Sequence, residues 1–151
     1  MAEALIKTAG DKGRSAEIML VEDNPGDVVL TKKAFSALKF SNNLTVASDG
    51  EEALAMLKNA DAVLPDLILL DINMPLKGGI FLLEEMKKDP RLAKVTVVML
   101  TSSGAPTDIL ASYNLEASSY IVKPLTMDKL GTAMAKLEKF WTVLYVEDAG
   151  K

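Results

Sequence analysis

Four short apolar runs in this chain each stop on a residue that can do chemistry. Leu20-Val21 runs into Glu22-Asp23, Leu69-Leu70 into Asp71, Met99-Leu100 into Thr101, and Ile121-Val122 into Lys123. Three carboxylates brought together repel one another and cannot all ionise cheaply unless a cation sits among them. With oxygen ligands alone the favoured cation is a hard one, Mg²⁺ first. A lysine and a hydroxyl beside such a site supply what a phosphoryl group needs, one point charge and one hydrogen-bond donor. Taken singly, each residue has a plainer reading. Glu22 and Asp23 could cap a helix, Asp71 could start a turn, Thr101 could cap, and Lys123 could be a solvated surface lysine.

For these residues to meet, the runs before them must be strands that end at one edge of a sheet. Glu17 to Val21, Asp66 to Asp71, Val95 to Leu100 and Ser119 to Val122 have the length and borders of strands buried on both faces, and Leu44 to Ala47 is a fifth. Helical signals alternate with them. Asn24-Pro25-Gly26-Asp27 combines a capping residue, a proline at the first helical position and an acid near the positive helix end, ahead of a stripe of Val28, Phe35 and Leu38. Asp49-Gly50-Glu51-Glu52 has the spacing of a capping box before Ala53, Leu54 and Leu57. Ile80 to Lys88 reads as a helix closed by Asp89-Pro90, and a short helix runs from about Thr107 to Asn114. Thr126 caps a last helix whose stripe is Leu130, Ala133, Met134, Leu137, Phe140 and Trp141. Five strands and five helices in strict alternation define an α/β chain with right-handed crossovers and a parallel sheet covered on both faces. Ligands of such sheets bind outside the carboxyl ends of the strands, where the chemical residues fall.

Composition removes other classes of function. The 151 residues suit one domain, with 49% hydrophobic residues to fill a core and 17 Lys+Arg against 21 Asp+Glu, a net charge of −4. A mildly acidic chain lacks the basic footprint of a nucleic-acid binder. There is no cysteine and no histidine, which excludes disulfides, thiolate or imidazole metal sites, catalytic triads and any phosphohistidine on this chain. No apolar run reaches the roughly 18 to 20 residues of a membrane-spanning helix, so no membrane is expected and the expected setting is the cytoplasm. Residues 1–15 scatter Lys7, Lys12 and Arg14 among small residues and read as a flexible leader to a domain over residues 16–151 with a short C-terminal extension.

The chain resembles the receiver domain of two-component response regulators. The pieces that carry the resemblance are Leu20-Val21-Glu22-Asp23-Asn24, Leu70-Asp71-Ile72-Asn73-Met74-Pro75 with Gly79, Leu100-Thr101-Ser102-Ser103, and Tyr120-Ile121-Val122-Lys123-Pro124. The intervals also match, 30 residues from Asp71 to Thr101 and 22 from Thr101 to Lys123. Asn24-Pro25, Ile72-Asn73-Met74-Pro75 and the late Phe140-Trp141 are most similar to small regulators paired with phytochrome-type sensor kinases. Departures are Glu22, where many receivers carry Asp, the glycine-rich Leu76-Lys77-Gly78-Gly79, and Glu116-Ala117-Ser118 before the fifth strand.

The resemblance implies a flavodoxin-like, doubly wound five-stranded sheet of order 2-1-3-4-5. It makes Asp71 the phosphoacceptor, receiving a phosphoryl group from a sensor histidine kinase. Mg²⁺ would be bound by Asp23, Asp71 and the main-chain carbonyl of Asn73, with Glu22 acting through water. Lys123 would neutralise phosphoryl oxygens, Thr101 would hydrogen-bond one of them, and Tyr120 would turn inward as the switch. A cis peptide before Pro124 would aim Lys123 over the site. The protein is then a phosphoacceptor rather than an enzyme in the ordinary sense. An Asp-nucleophile phosphatase of the haloacid-dehalogenase type needs a second Asp two residues after the nucleophile, where this chain has Asn73. A phosphorylation-independent interaction module on the same fold remains the alternative, against which the complete set of site residues argues. About ten residues follow Trp141, too few for a DNA-binding output domain, so output is expected through protein contact or onward phosphotransfer. A homodimer is expected through the face formed by the short helix near Thr107 to Asn114, the fifth strand and the last helix, edged by Phe140 and Trp141 and extended by the apolar tail Thr142 to Val146.

Overall fold

The computed structural model describes residues 16–37, 42–59, 61, 63–72, 74, 78–102 and 119–135. Its five strands, β1 (Ala16–Val21), β2 (Asn42–Ala47), β3 (Leu67–Asp71), β4 (Thr96–Thr101) and β5 (Ser119–Val122), form one sheet in the order β2-β1-β3-β4-β5. Every pairing is parallel. Four helices are described, α1 (Pro25–Ser36), α2 (Gly50–Lys58), α3 (Gly79–Lys87) and α4 (Met127–Ala135). This is the flavodoxin-like, doubly wound arrangement. The leader, Asn73, the helix near Thr107 to Asn114, the residues from Leu137 to Trp141 and the tail lie outside the described residues. The expected dimer face falls largely among them.

Alternation along the strands builds two apolar layers. On β1, Ala16, Ile18 and Leu20 pack with Ala34 and Phe35 of α1 and with Leu130, Ala133 and Met134 of α4. Met19 and Val21 point the other way, toward Ala53 and Leu57 of α2 and Leu82, Leu83 and Met86 of α3. Side chains alternate across a strand, so a central strand covered on both faces needs apolar residues at every position. β3 shows it best, with Leu67, Ile68, Leu69 and Leu70 all fully buried. Truncating any of them to alanine would cost about 2–5 kcal/mol. No helix among the described residues is long and apolar enough to cross a membrane.

Element ends follow local hydrogen bonding more than hydropathy. Asn24 caps α1 by accepting from Asp27 N–H at 3.0 Å, Asp49 caps α2 through Glu52 N–H at 2.8 Å, and Thr126 Oγ1 accepts from Lys129 N–H at 3.2 Å. The return arm of the α2 box reaches Ser48 N–H at 3.4 Å rather than the cap itself. β2 begins two residues before its apolar run because Asn42 pairs in register with Ala16 at the sheet edge. Its side-chain amide donates to the Phe35 carbonyl at the end of α1, 3.0 Å away. β3 begins one residue late, because Asp66 still bonds to β1 but partly through its side chain. Its N–H donates to Glu17 O at 2.7 Å, and its Oδ2 accepts from Glu17 N–H at 2.8 Å. β4 runs on to Thr101, whose carbonyl accepts Lys123 N–H at 2.8 Å.

Candidate functional site

Register carries the chemical residues to one edge. Val21 pairs with Leu70, so Glu22 and Asp71 follow one step later on adjacent central strands. Asp71 pairs with Leu100 and Thr101 with Val122, which puts Thr101 and Lys123 next in line across β4 and β5. Chain direction reverses its walk across the sheet between β1 and β3, since β2 lies on one side of β1 and β3 on the other. Such a switch point opens a crevice at the strand ends, and the carboxylates stand there.

Glu22, Asp23 and Asp71 each offer an oxygen within 4.8 Å of the others. Glu22 and Asp71 are only 2% and 3% exposed, whereas Asp23 faces solvent. The Lys123 ammonium lies among them. It donates to Asp71 Oδ2 at 3.0 Å and to Asp27 Oδ2 at 2.9 Å, and stands 2.8 Å from Glu22 Oε1. The last contact is an ion pair without the angles of a hydrogen bond, so Glu22 Oε1 is buried with no hydrogen-bond donor. Its other oxygen accepts from Asn24 N–H at 3.2 Å.

Burial first, then the neighbouring Asp71 carboxylate, push Glu22 up from 4.5 to about 7, against the opposing pull of Lys123 and the Asn24 N–H. Burial disfavours the Lys123 ammonium, but Glu22, Asp27 and Asp71 outweigh it and hold its pKa above the ordinary lysine value. Charge is therefore unbalanced, with one ammonium facing more carboxylates than it can neutralise. A buried oxygen without a donor and three converging carboxyl groups with no softer ligand fit a hard divalent cation.

The loops are built to hold this geometry. Ile72 and Met74 are buried in the apolar layer that α2 and α3 cover, so the chain leaving Asp71 is fastened to the core. A Cβ on Gly79 would come within 2.7 Å of the Asp71 carbonyl oxygen and 3.1 Å of Ile72 Cα. Only glycine lets α3 start this close to the acceptor strand. The Lys123–Pro124 peptide is cis. Lys129 Nζ donates to the carbonyls of Val122 at 2.9 Å and Pro124 at 3.3 Å, clasping the backbone on both sides of Lys123. Thr101 is fully buried, and Tyr120 is half-buried against the α2–α3 layer.

The expected residues Glu22, Asp23, Asp71 and Lys123 thus converge, with Thr101 at the neighbouring strand end. Asn73 lies outside the described residues. Asp27 and Lys129 were not expected at the site. Asp27 reads in sequence as a helix-start acid, and only the 96-residue contact to Lys123 reveals its second partner. Nothing in the sequence marks Lys129.

Comparison with known proteins agrees with this geometry. The response regulator receiver domain family matches residues 18–135. Response regulator Rcp1 of Synechocystis sp. is 34% identical over 128 residues, covering 82% of this chain and 87% of that protein. Its Mn²⁺-bound crystal structure superposes with a TM-score of 0.67, covering 83% of this chain and 94% of that one. The bacteriophytochrome response regulator RtBRR gives a TM-score of 0.75 at 30% identity, over 91% of this chain and 95% of that one. The phosphorylated cyanobacterial phytochrome response regulator RcpA gives 0.66 at 37% identity, over 85% and 95%. The chain belongs to the response regulator receiver domains, phosphoacceptor modules of two-component phosphorelays, and is related to the phytochrome response regulators.

Proposed function

We propose that Asp71 accepts a phosphoryl group from a phosphohistidine of a sensor histidine kinase, one of phytochrome type. An oxygen of the Asp71 carboxylate attacks phosphorus, the bond to the imidazole nitrogen breaks, and the imidazole leaves with the electron pair and takes a proton. The product is an acyl phosphate on Asp71. Asp23 and Asp71, with the Asn73 main-chain carbonyl, would hold Mg²⁺, and Glu22 would act through water. When bound, Mg²⁺ would supply positive charge to offset the charge that spreads over the phosphoryl oxygens in a loose transition state. Lys123 supplies the second positive charge, already 3.0 Å from Asp71 Oδ2. Thr101 donates its hydroxyl to a phosphoryl oxygen, and its movement lets Tyr120 pack inward, a two-state element biased by a local charge. The signal then passes by protein contact or onward phosphotransfer.

The observation that carries this reading is the buried Asp71 carboxylate, paired with Lys123 at the switch point beside a donorless Glu22 oxygen. The phytochrome response regulators RtBRR and RcpA, and the Mn²⁺ bound by Rcp1, support the partner and the cation. Labelling with a small phosphodonor such as acetyl phosphate in Mg²⁺ tests it. We expect acid-stable, base-labile incorporation that disappears in Asp71→Asn. Undiminished labelling of that variant would refute the assignment.

A further inference from the structure

Lys123 has a carboxylate partner that the proposed cation does not claim. Its ammonium donates to Asp27 Oδ2 at 2.9 Å, as short a contact as the one to Asp71 at 3.0 Å. Asp27 is not a member of the Glu22, Asp23 and Asp71 group whose oxygens converge within 4.8 Å. It stands in the first turn of α1 with its main chain held at both ends. Its N–H donates to Asn24 Oδ1 at 3.0 Å, and its carbonyl accepts the Thr31 hydroxyl at 2.8 Å. The carboxylate is therefore carried on a rigid element at the rim of the pocket, with a side chain 29% exposed.

Glu22 and Asp71, by contrast, face two claims. Both now lie against Lys123, and both belong to the group that would hold a divalent ion. A divalent ion and an ammonium within a few ångströms repel one another, the more so beside the buried Glu22 and Asp71 carboxylates. Lys123 cannot simply leave, because the phosphoryl group needs it beside Asp71. We infer that Asp27 is a positioning residue for Lys123. It holds the ammonium at the rim of the pocket when a divalent cation occupies the three carboxylates, so that the two positive charges share the site instead of competing for it. This rests on the reading that the cluster binds a divalent ion.

Removing Asp27 has two separable effects on cation binding. The lost negative charge weakens binding a little in any background. Where Lys123 is present, its ammonium must also fall back on Glu22 and Asp71 and be displaced by the incoming ion. The second effect needs Lys123 and the first does not, so a double-mutant cycle divides them.

The test is calorimetric Mg²⁺ titration of the full chain as wild type, Asp27→Ala, Lys123→Ala and the double variant, with thermal unfolding in EDTA to verify folding. Couplings within one ion-pair network run from about twofold to about a hundredfold. We expect Asp27→Ala to weaken Mg²⁺ about tenfold when Lys123 is present and no more than about twofold in Lys123→Ala. Asp27→Glu should restore most of the affinity. Asp27→Asn, which keeps an acceptor oxygen, replaces the alanine variant if that one fails to fold and should weaken Mg²⁺ in the same direction. Equal losses in the two backgrounds would overturn the role of Asp27 while leaving an Asp23-dependent Mg²⁺ site intact. Wild type that binds no Mg²⁺, or binds it unchanged in Asp23→Ala, would overturn the cation reading and the inference with it.

Discussion

Replacing the acceptor Asp71 with asparagine should make the metal-free protein more stable. Glu22 is held at about 7 instead of 4.5, by burial and by the Asp71 carboxylate. One pKa unit corresponds to about 1.4 kcal/mol, so the whole shift represents roughly 3 kcal/mol of strain on the folded state once Glu22 is ionised. Asp71 is one of its two main causes, so removing its charge relieves part of that cost. Asparagine removes that repulsion, and Lys123 keeps Glu22 and Asp27. The sign with pH follows from linkage. The folded state holds a proton on Glu22 that the unfolded chain releases above about 4.5, so wild-type stability falls as pH rises from about 4.5 to 7 and levels off above. The variant, with Glu22 nearer its ordinary value, should fall less. Its advantage is therefore greatest at pH 8 and fades toward pH 5. For a chain of this size 1 kcal/mol moves Tm by about 2–4 °C, so the rise should be several degrees, and no more than about 12 °C, by calorimetry in EDTA at pH 8. Saturating Mg²⁺ should narrow or reverse the gap, because the ion stabilises the form that binds it. An Asp71→Asn variant no more stable than wild type in EDTA at pH 8, or with an advantage that grows at pH 5, would refute the reasoning.

Other substitutions should separate the parts of the site. Lys123→Met leaves buried carboxylates without their cation and should lower stability by about 3–5 kcal/mol in EDTA, read from urea midpoints, the opposite sign to Asp71→Asn. Gly79→Ala should cost about 1–3 kcal/mol and slow phosphodonor labelling, since its Cβ would lie 2.7 Å from the Asp71 carbonyl. Gly131→Ala, in α4 with nothing within 4 Å of a new Cβ, should raise stability by about 0.4–1 kcal/mol and leave labelling unchanged. Asp49→Ala should cost about 1 kcal/mol through loss of the 2.8 Å cap to Glu52 N–H, measurable by thermal denaturation and without effect on Mg²⁺ affinity.

Much of this arrangement is legible in sequence because the strands are nearly uniform and their last residues are not. Runs such as Leu67 to Leu70 admit only burial on both faces, which demands helices on either side and a parallel sheet. Once the strands are parallel, Glu22, Asp71, Thr101 and Lys123 must share an edge. The readings that missed are those in which a polar side chain does backbone work. Asn42 and Asp66 bind Phe35 O and Glu17 N–H, which moves the starts of β2 and β3. Asp27 sits where any helix welcomes an acid, so its local role hides its contact with Lys123. Gly79 shows in sequence only as a glycine eight residues past Asp71. The reason for it is the approach of α3 to the Asp71 backbone.

The kind of residue at each strand end follows from its distance to Asp71. β1 adjoins β3, so a short acidic side chain at Glu22 or Asp23 reaches the Asp71 carboxylate group directly. β4 adjoins β3 on the other side, one spacing of about 4.8 Å away, and a hydroxyl on Thr101 is long enough for a group attached to Asp71. β5 lies two spacings off, about 10 Å. The four-carbon stem of Lys123 and the shorter Asp71 side chain close that gap to 3.0 Å, where a threonine or aspartate at the same place would fall short. A long flexible arm must also be kept from wandering. Lys129 clasps the carbonyls on either side of it, and Asp27 holds its charged end. The residues that restrain Lys123 are therefore needed because the only cation in the site comes, among the described residues, from the far strand.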